Sequence, residues 1–218
     1  MSGAREPNFD RVARVYRWAE YIALGPLLQR ARTYFLPRFG QAHRALVLGD
    51  GDGRFLEQLL LRNPDCKALA VDTSASMLEH LRRRCERSVP EAATRVGVVQ
   101  QSALAIEAPP GTDLVVTHFI LDCFSQSEVD GLAARVAAQL APGTLWVVSD
   151  FALPRSRMLR PFAAIYIRAL YVSFRLLTGL KVSQLPDTEG AMLRAGLTRI
   201  ERHSFLGGLI YTELWRRE

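Results

Sequence analysis

The chain has 218 residues and a mass of 24.4 kDa, with 49% hydrophobic residues and a mean hydropathy of +0.03. Those values leave room for one α/β domain with a full core and give no reason to expect a membrane-embedded or disordered protein. A formal charge of +6 permits an anionic partner, but nearly all of it is arginine, lysine occurring only at Lys67 and Lys181.

Cys66, Cys85 and Cys123 are odd in number and form no CxxC pair, and the four histidines lack metal-ligand spacing. No disulfide framework and no metal centre are therefore expected. The opening residues carry no apolar core of a secretory signal, so a reducing, cytoplasmic setting is expected.

Along the chain, Asn8 or Asp10 can cap a first helix whose Val12, Val15, Tyr16, Ala19, Ile22 and Ala23 share one face. After Gly25-Pro26 a second helix is predicted from Leu27 to about Leu36. The organising stretch follows. Ala45 to Leu48 form an apolar run too short for a helix, then come Gly49, Gly51 and Gly53, then Phe55, Leu56, Leu59 and Leu60 at helical spacing. This reads as strand, tight glycine turn, helix. Such a turn needs positive φ, and a ligand can touch backbone only where no Cβ intervenes.

A second strand, Ala68 to Asp72, ends in an acid about 20 residues past the turn, where a nucleotide-binding βαβ unit places its ribose-binding carboxylate. A dinucleotide fingerprint wants a small residue at position 54, where this chain has Arg54. The pattern is GxGxG, and it lacks the pyrophosphate geometry.

On these residues the sequence resembles the class I S-adenosylmethionine-dependent methyltransferases. The resemblance runs from about Asn8 to Trp215 and is carried by Val47-Leu-Gly-Asp-Gly-Asp-Gly, Val71-Asp72, Asp113-Leu-Val-Val-Thr-His-Phe and Leu140 to Asp150. Asn8 to Tyr16 resembles the start of the ubiquinone/menaquinone C-methyltransferase group, where it forms a flap over the cofactor. The resemblance implies S-adenosylmethionine as cofactor, held by Gly49, Asp50, Gly51, Asp52, Gly53, Asp72, Thr73, Met77, Ser102, Ala103 and His118. The family's acid two residues before the first glycine is Val47 here, with Asp50 or Asp52 as substitutes. Its acid near the adenine amino group is replaced by Ser102.

A hydroxyl after Asp72 caps a helix running through Arg84, and Val96 to Val99 form strand three. Strand four, Leu114 to Phe119, points its end into the crevice of the glycine turn. His118 and Asp122 there, with Tyr16 and Tyr166, are the candidate catalytic residues, as a general base if the acceptor must lose a proton. A helix over Glu128 to Leu140 and a strand over Leu145 to Phe151 follow.

Pro154 to Lys181 contains no acidic residue. Arg157, Arg160, Arg168 and Arg175 fall in one helical sector, and Leu159, Tyr166, Leu170, Phe174 and Leu177 in another. That charge density excludes a membrane span and leaves an amphipathic helix, either a lid over the substrate pocket or an interfacial helix. The chain ends in a helix from Asp187, stopped by Gly196, and two antiparallel strands, Thr198 to Phe205 and Leu209 to Trp215.

The expected fold is thus a Rossmann-like, doubly wound, seven-stranded mixed sheet with an antiparallel last strand. Residues 1–218 make one domain, with an N-terminal helical flap over 1–40 and a helical insertion over 152–182. The expected function is methyl transfer to a small apolar or aromatic acceptor, such as a quinol precursor or phenolic metabolite. Peripheral contact with an anionic membrane and no nucleic-acid partner are expected. The alternatives are a non-catalytic binding module at membranes and a nicotinamide-dependent oxidoreductase.

Overall fold

The computed structural model describes residues 24–154, 156–168 and 184–218. The flap segment before residue 24, with Tyr16, lies outside the described residues, as do Leu170, Tyr171, Phe174, Arg175 and Leu177.

Seven strands form one sheet: β1 (Arg44–Leu48), β2 (Lys67–Asp72), β3 (Val96–Gln100), β4 (Leu114–His118), β5 (Leu145–Phe151), β6 (Leu197–Phe205) and β7 (Ile210–Arg217). Their order is β3-β2-β1-β4-β5-β7-β6. β1 to β5 run parallel, and β7 inserts antiparallel to both β5 and β6. This is the mixed sheet the sequence predicts. The order reverses between β1 and β4, so their carboxyl ends open on a shared crevice.

The helices are α1 (Gly25–Thr33), α2 (Arg54–Arg62), α3 (Ala75–Ser88), the single turn α4 (Ala92–Arg95), α5 (Gln126–Ala137), α6 (160–168) and α7 (Thr188–Arg194). Several predicted boundaries move. α1 ends at Thr33, and Leu36–Phe39 form a separate 3-10 turn containing Pro37. α5 starts at Gln126, because Ser125 and Glu128 close a capping box there.

The central strands are apolar without alternation because both faces are covered. Ala45 and Val47 of β1 enter one core layer with Phe35, Phe39, Phe55 and Leu81. Leu46 and Leu48 enter the opposite layer with Leu132, Val136, Trp146 and Trp215. A third cluster sets α1 residues Leu28 and Ala31 against Phe119, Phe205 and Ile210. It seats α1 beside the carboxyl end of β4.

Candidate functional site

The turn after β1 takes Gly49, Gly51 and Gly53 through φ of 70°, 60° and 83°, the left-handed region glycine enters without a Cβ penalty. The three do different work. A Cβ on Gly49 would meet Ile120 Cδ1 at 2.5 Å, and one on Gly53 would meet the Leu81 backbone Cα at 2.9 Å. At Gly51 a Cβ would have nothing within 4 Å. Gly49 and Gly53 are thus packing glycines, and Gly51 faces open space.

The two acids between the glycines are engaged inside the turn. Asp50 accepts the backbone N–H groups of Phe55 (3.2 Å) and Leu56 (2.9 Å), satisfying the first turn of α2. Burial pushes its carboxyl up to about 7, while those N–H groups and Arg32 pull the other way. Asp52 is gripped by Arg54 at 3.1 Å and by Arg84 of α3 at 2.9 Å. Arg84 also donates to the Asp52 carbonyl at 2.8 Å. Both carboxyls, expected as stand-ins for the acid absent at position 47, thus brace the loop itself. Val47 lies wholly within the apolar layer.

Asp72 ends β2 in register with Gln100, one strand from the glycine turn. Its Oδ1 accepts the N–H of Ser74 at 2.9 Å. Ser74, and not Thr73, caps α3, its Oγ accepting from Met77 N–H at 3.2 Å. Thr73 is half-buried and its carbonyl accepts from Gln100 at 3.1 Å. Met77 and Ala103 are buried, and the Ser102 hydroxyl accepts from Leu104 N–H at 3.1 Å, capping a 3-10 turn. These residues follow the ends of β2 and β3.

His118, last residue of β4, is buried, its ring edge-on to Phe55 with centroids 4.8 Å apart. Neither ring nitrogen has a hydrogen-bond partner among the described residues. Burial, reinforced by the Arg32 cation, holds its pKa well below the usual imidazole value, so the ring is neutral. The next residue, Phe119, takes φ of 55°, a costly conformation for an aromatic residue. Its ring carries the Arg32 guanidinium at 5.0 Å.

Beyond this bend, Asp122 meets a residue the sequence reading treated only as part of strand five. Asp150 of β5 accepts the backbone N–H of Asp122 through Oδ2 at 3.1 Å, and the two carboxyls also hydrogen-bond to each other. The Cys123 thiol donates to Asp122 Oδ1 at 3.6 Å. Burial first, and then the charge of Asp122, raises Asp150 well above the carboxylate range; burial raises Asp122 as well. Burial of the two carboxyls beside each other disfavours ionising both at once.

α6 lies above the pair. Its Ile167 and Tyr166 pack against Cys123, Leu185 and Leu209. Tyr166 is half-buried, and burial raises its phenol. Phe162 points outward and is 73% exposed. The helix docks through Ala163 and Ile167, and Phe162 sits outside that sector.

Residues 46–145 match the family model of a methyltransferase domain. The chain is 25% identical over 160 residues to the carboxy-S-adenosyl-L-methionine synthase of Pseudomonas fluorescens, covering 71% of this chain and 63% of that protein. It is 29% identical over 157 residues to the trans-aconitate 2-methyltransferase of Methylobacterium nodulans, covering 67% of this chain and 57% of that one. The chain thus spans less than two thirds of either relative. Among solved structures, an O-methyltransferase family protein from Burkholderia thailandensis superposes with a TM-score of 0.72 at 17% identity, covering 99% of this chain and 65% of that one. The N-methyltransferase NodS of Bradyrhizobium japonicum, in complex with S-adenosyl-L-homocysteine, superposes with a TM-score of 0.61 at 16% identity, covering 88% of each.

Proposed function

We propose that the protein transfers a methyl group from S-adenosylmethionine to a small apolar or aromatic acceptor. The observation that carries this is the open side of Gly51 in a loop braced by Asp50, Asp52 and Arg84, one strand away from Asp72. Backbone free of Cβ can approach a ligand there, and in this reading the Asp72 carboxylate accepts ribose hydroxyls. Thr73, Met77, Ser102 and Ala103 then bound the adenine end, and Gly49 and Gly53 hold the turn. His118 is a buried polar group of the same crevice whose ring nitrogens have no partner among the described residues. Those features fit the cofactor, which when bound supplies an electrophilic sulfonium methyl.

The rest is the work of the chain's own residues. Ile120, packed on Gly49, excludes water between the loop and the Asp122–Asp150 pair. The pair is the base of this reading: its singly protonated form has the capacity to accept a proton from an acceptor hydroxyl or amine. α6 roofs the acceptor space with Tyr166 and Ile167. Arg54 at the third position of the motif, and the antiparallel β7, weigh against a nicotinamide enzyme.

Calorimetry with S-adenosylhomocysteine and with NAD tests the first half of the reading, and binding only of S-adenosylhomocysteine is expected. Incubation of lipid extracts and polar metabolite pools with tritiated cofactor tests the second. Label confined to polar products would overturn the acceptor class, and absence of nucleoside binding would overturn the whole reading.

A further inference from the structure

The surface of α6 that faces away from the protein carries Phe162 and Ile165, and Met158 stands in the turn that leads into the helix; they are 73%, 68% and 81% exposed. Phe162 and Ile165, three residues apart, share one helical sector. Large apolar side chains standing singly on a surface need no explanation; three gathered at one helix start do. The patch continues beyond the helix. Leu159 packs on Gly207 at the β6–β7 turn, where Leu206, held at φ of 49°, is 47% exposed, and Pro154 lies against Gly208.

Arg157, Arg160 and Arg168 are exposed around this patch. None of the three pairs with a carboxylate among the described residues, and the sequence from Pro154 to Lys181 contains no acid. Elsewhere arginines are routinely partnered: Arg84, Arg194, Arg199 and Arg202 all hold carboxylates. Unpaired cations therefore gather where apolar side chains protrude.

We propose that this face of α6 seats the protein on an anionic bilayer, with Met158, Phe162 and Ile165 entering the headgroup–acyl boundary and the arginines meeting lipid phosphates. An amphipathic helix lying in the interface combines those two terms, apolar burial and attraction to anionic lipid. The alternative occupant, a second copy of the chain, is disfavoured by charge. A two-fold contact through this face brings six unpaired arginines together. No helix among the described residues is long and apolar enough to cross a membrane.

Co-sedimentation with vesicles of phosphatidylcholine alone, and of phosphatidylcholine with phosphatidylglycerol, reads the partition. The wild type is expected to sediment with the anionic vesicles. Replacing Arg157, Arg160 and Arg168 singly by glutamine should weaken the partition roughly fivefold each, an effect that salt erases. Phe162→Ser with Ile165→Ser should weaken it more than tenfold at any salt. Three results overturn the proposal: a wild type that stays in the supernatant, sedimentation indifferent to the apolar changes, which marks simple adsorption of a basic protein, or a dimer in solution that those changes abolish. S-adenosylhomocysteine binding is measured on every variant. Its absence sinks the methyl-transfer reading and leaves this one standing.

Discussion

Adding one methyl group to the glycine turn at different positions separates packing from ligand approach. In Gly51→Ala the new Cβ meets nothing within 4 Å, so the cost is only that of holding alanine at φ of 60°. That is roughly 1–2 kcal/mol, a loss of a few degrees in Tm for a chain of this size. In Gly53→Ala the same strain is joined by contact with Leu81 Cα at 2.9 Å and Cγ at 2.8 Å. The first belongs to the backbone of α3, which must shift, and overpacking of this kind adds about 1–3 kcal/mol. Thermal melts should therefore rank Gly53→Ala well below Gly51→Ala. Calorimetry with S-adenosylhomocysteine should show the alanine at 51 weakening binding at least roughly tenfold, because its methyl occupies the space the ligand's approach requires. A Gly51→Ala protein that melts a few degrees low and binds with unchanged affinity would refute the placement of the ligand. One that melts as low as the alanine at 53 would refute the claim that position 51 is open.

Asp72→Ala should weaken S-adenosylhomocysteine binding at least roughly tenfold, since each charge-assisted bond is worth about 1.5–3 kcal/mol, and should lower stability by about 1 kcal/mol through loss of the Ser74 N–H acceptor. Asp122→Asn should slow methyl transfer roughly 100-fold or more, whereas Asp150→Asn should remove the basic limb of the pH–rate profile, because no second carboxyl is left to ionise against the first; a retained limb excludes the shared proton. Stability should also depend on pH with a predictable sign. Asp50, Asp122 and Asp150 are raised in the folded chain, so it holds more protons than the unfolded chain and its stability falls as pH rises from about 4 towards 7. His118, depressed, opposes this by losing stability as pH drops below 6.5. Urea midpoints of Asp150→Asn at pH 5 and pH 7 should give a slope flatter by up to about 1.4 kcal/mol per pH unit, and an unchanged slope would mean that Asp150 is ionised throughout.

What the sequence made legible was local. The strand, glycine turn and helix around Gly49–Gly53 lie within 19 residues from Arg44 to Arg62, and Asp72 is one βαβ crossover away. The antiparallel ending was readable for the same reason: the two strands are neighbours in sequence. What stayed hidden depends on register between distant elements. Asp122 and Asp150 meet only because β4 and β5 pair with His118 opposite Ser149. The engagement of Asp52 requires Arg84 from the far end of α3, and nothing in GxGxG announces it. Helical periodicity fixed the relative angles of Phe162, Tyr166 and the arginines on α6 but not which sector docks. Tertiary packing chose Ala163 and Ile167, which turned Phe162 to the outside.

The costs in this fold are not spread evenly. Asp50, His118, Asp122 and Asp150 are all buried, all displaced from their ordinary ionisation, and all at or just beyond the carboxyl ends of β1, β4 and β5. Phe119, with its positive φ, stands in the same place. Apolar residues at these positions would spare the chain several kcal/mol of desolvation and strain. Asp50 has a structural account, since it satisfies two N–H groups of α2. Asp150 likewise accepts the N–H of Asp122 at the start of a 3-10 turn, but the His118 nitrogens, without a partner among the described residues, have no such account. Uncompensated polar groups concentrated at the switch point of a parallel sheet are what a reaction site leaves behind in the energetics. In the function proposed above, Gly51 and Asp72 take the nucleoside end of that site, and the Asp122–Asp150 pair takes the end where the acceptor gives up its proton.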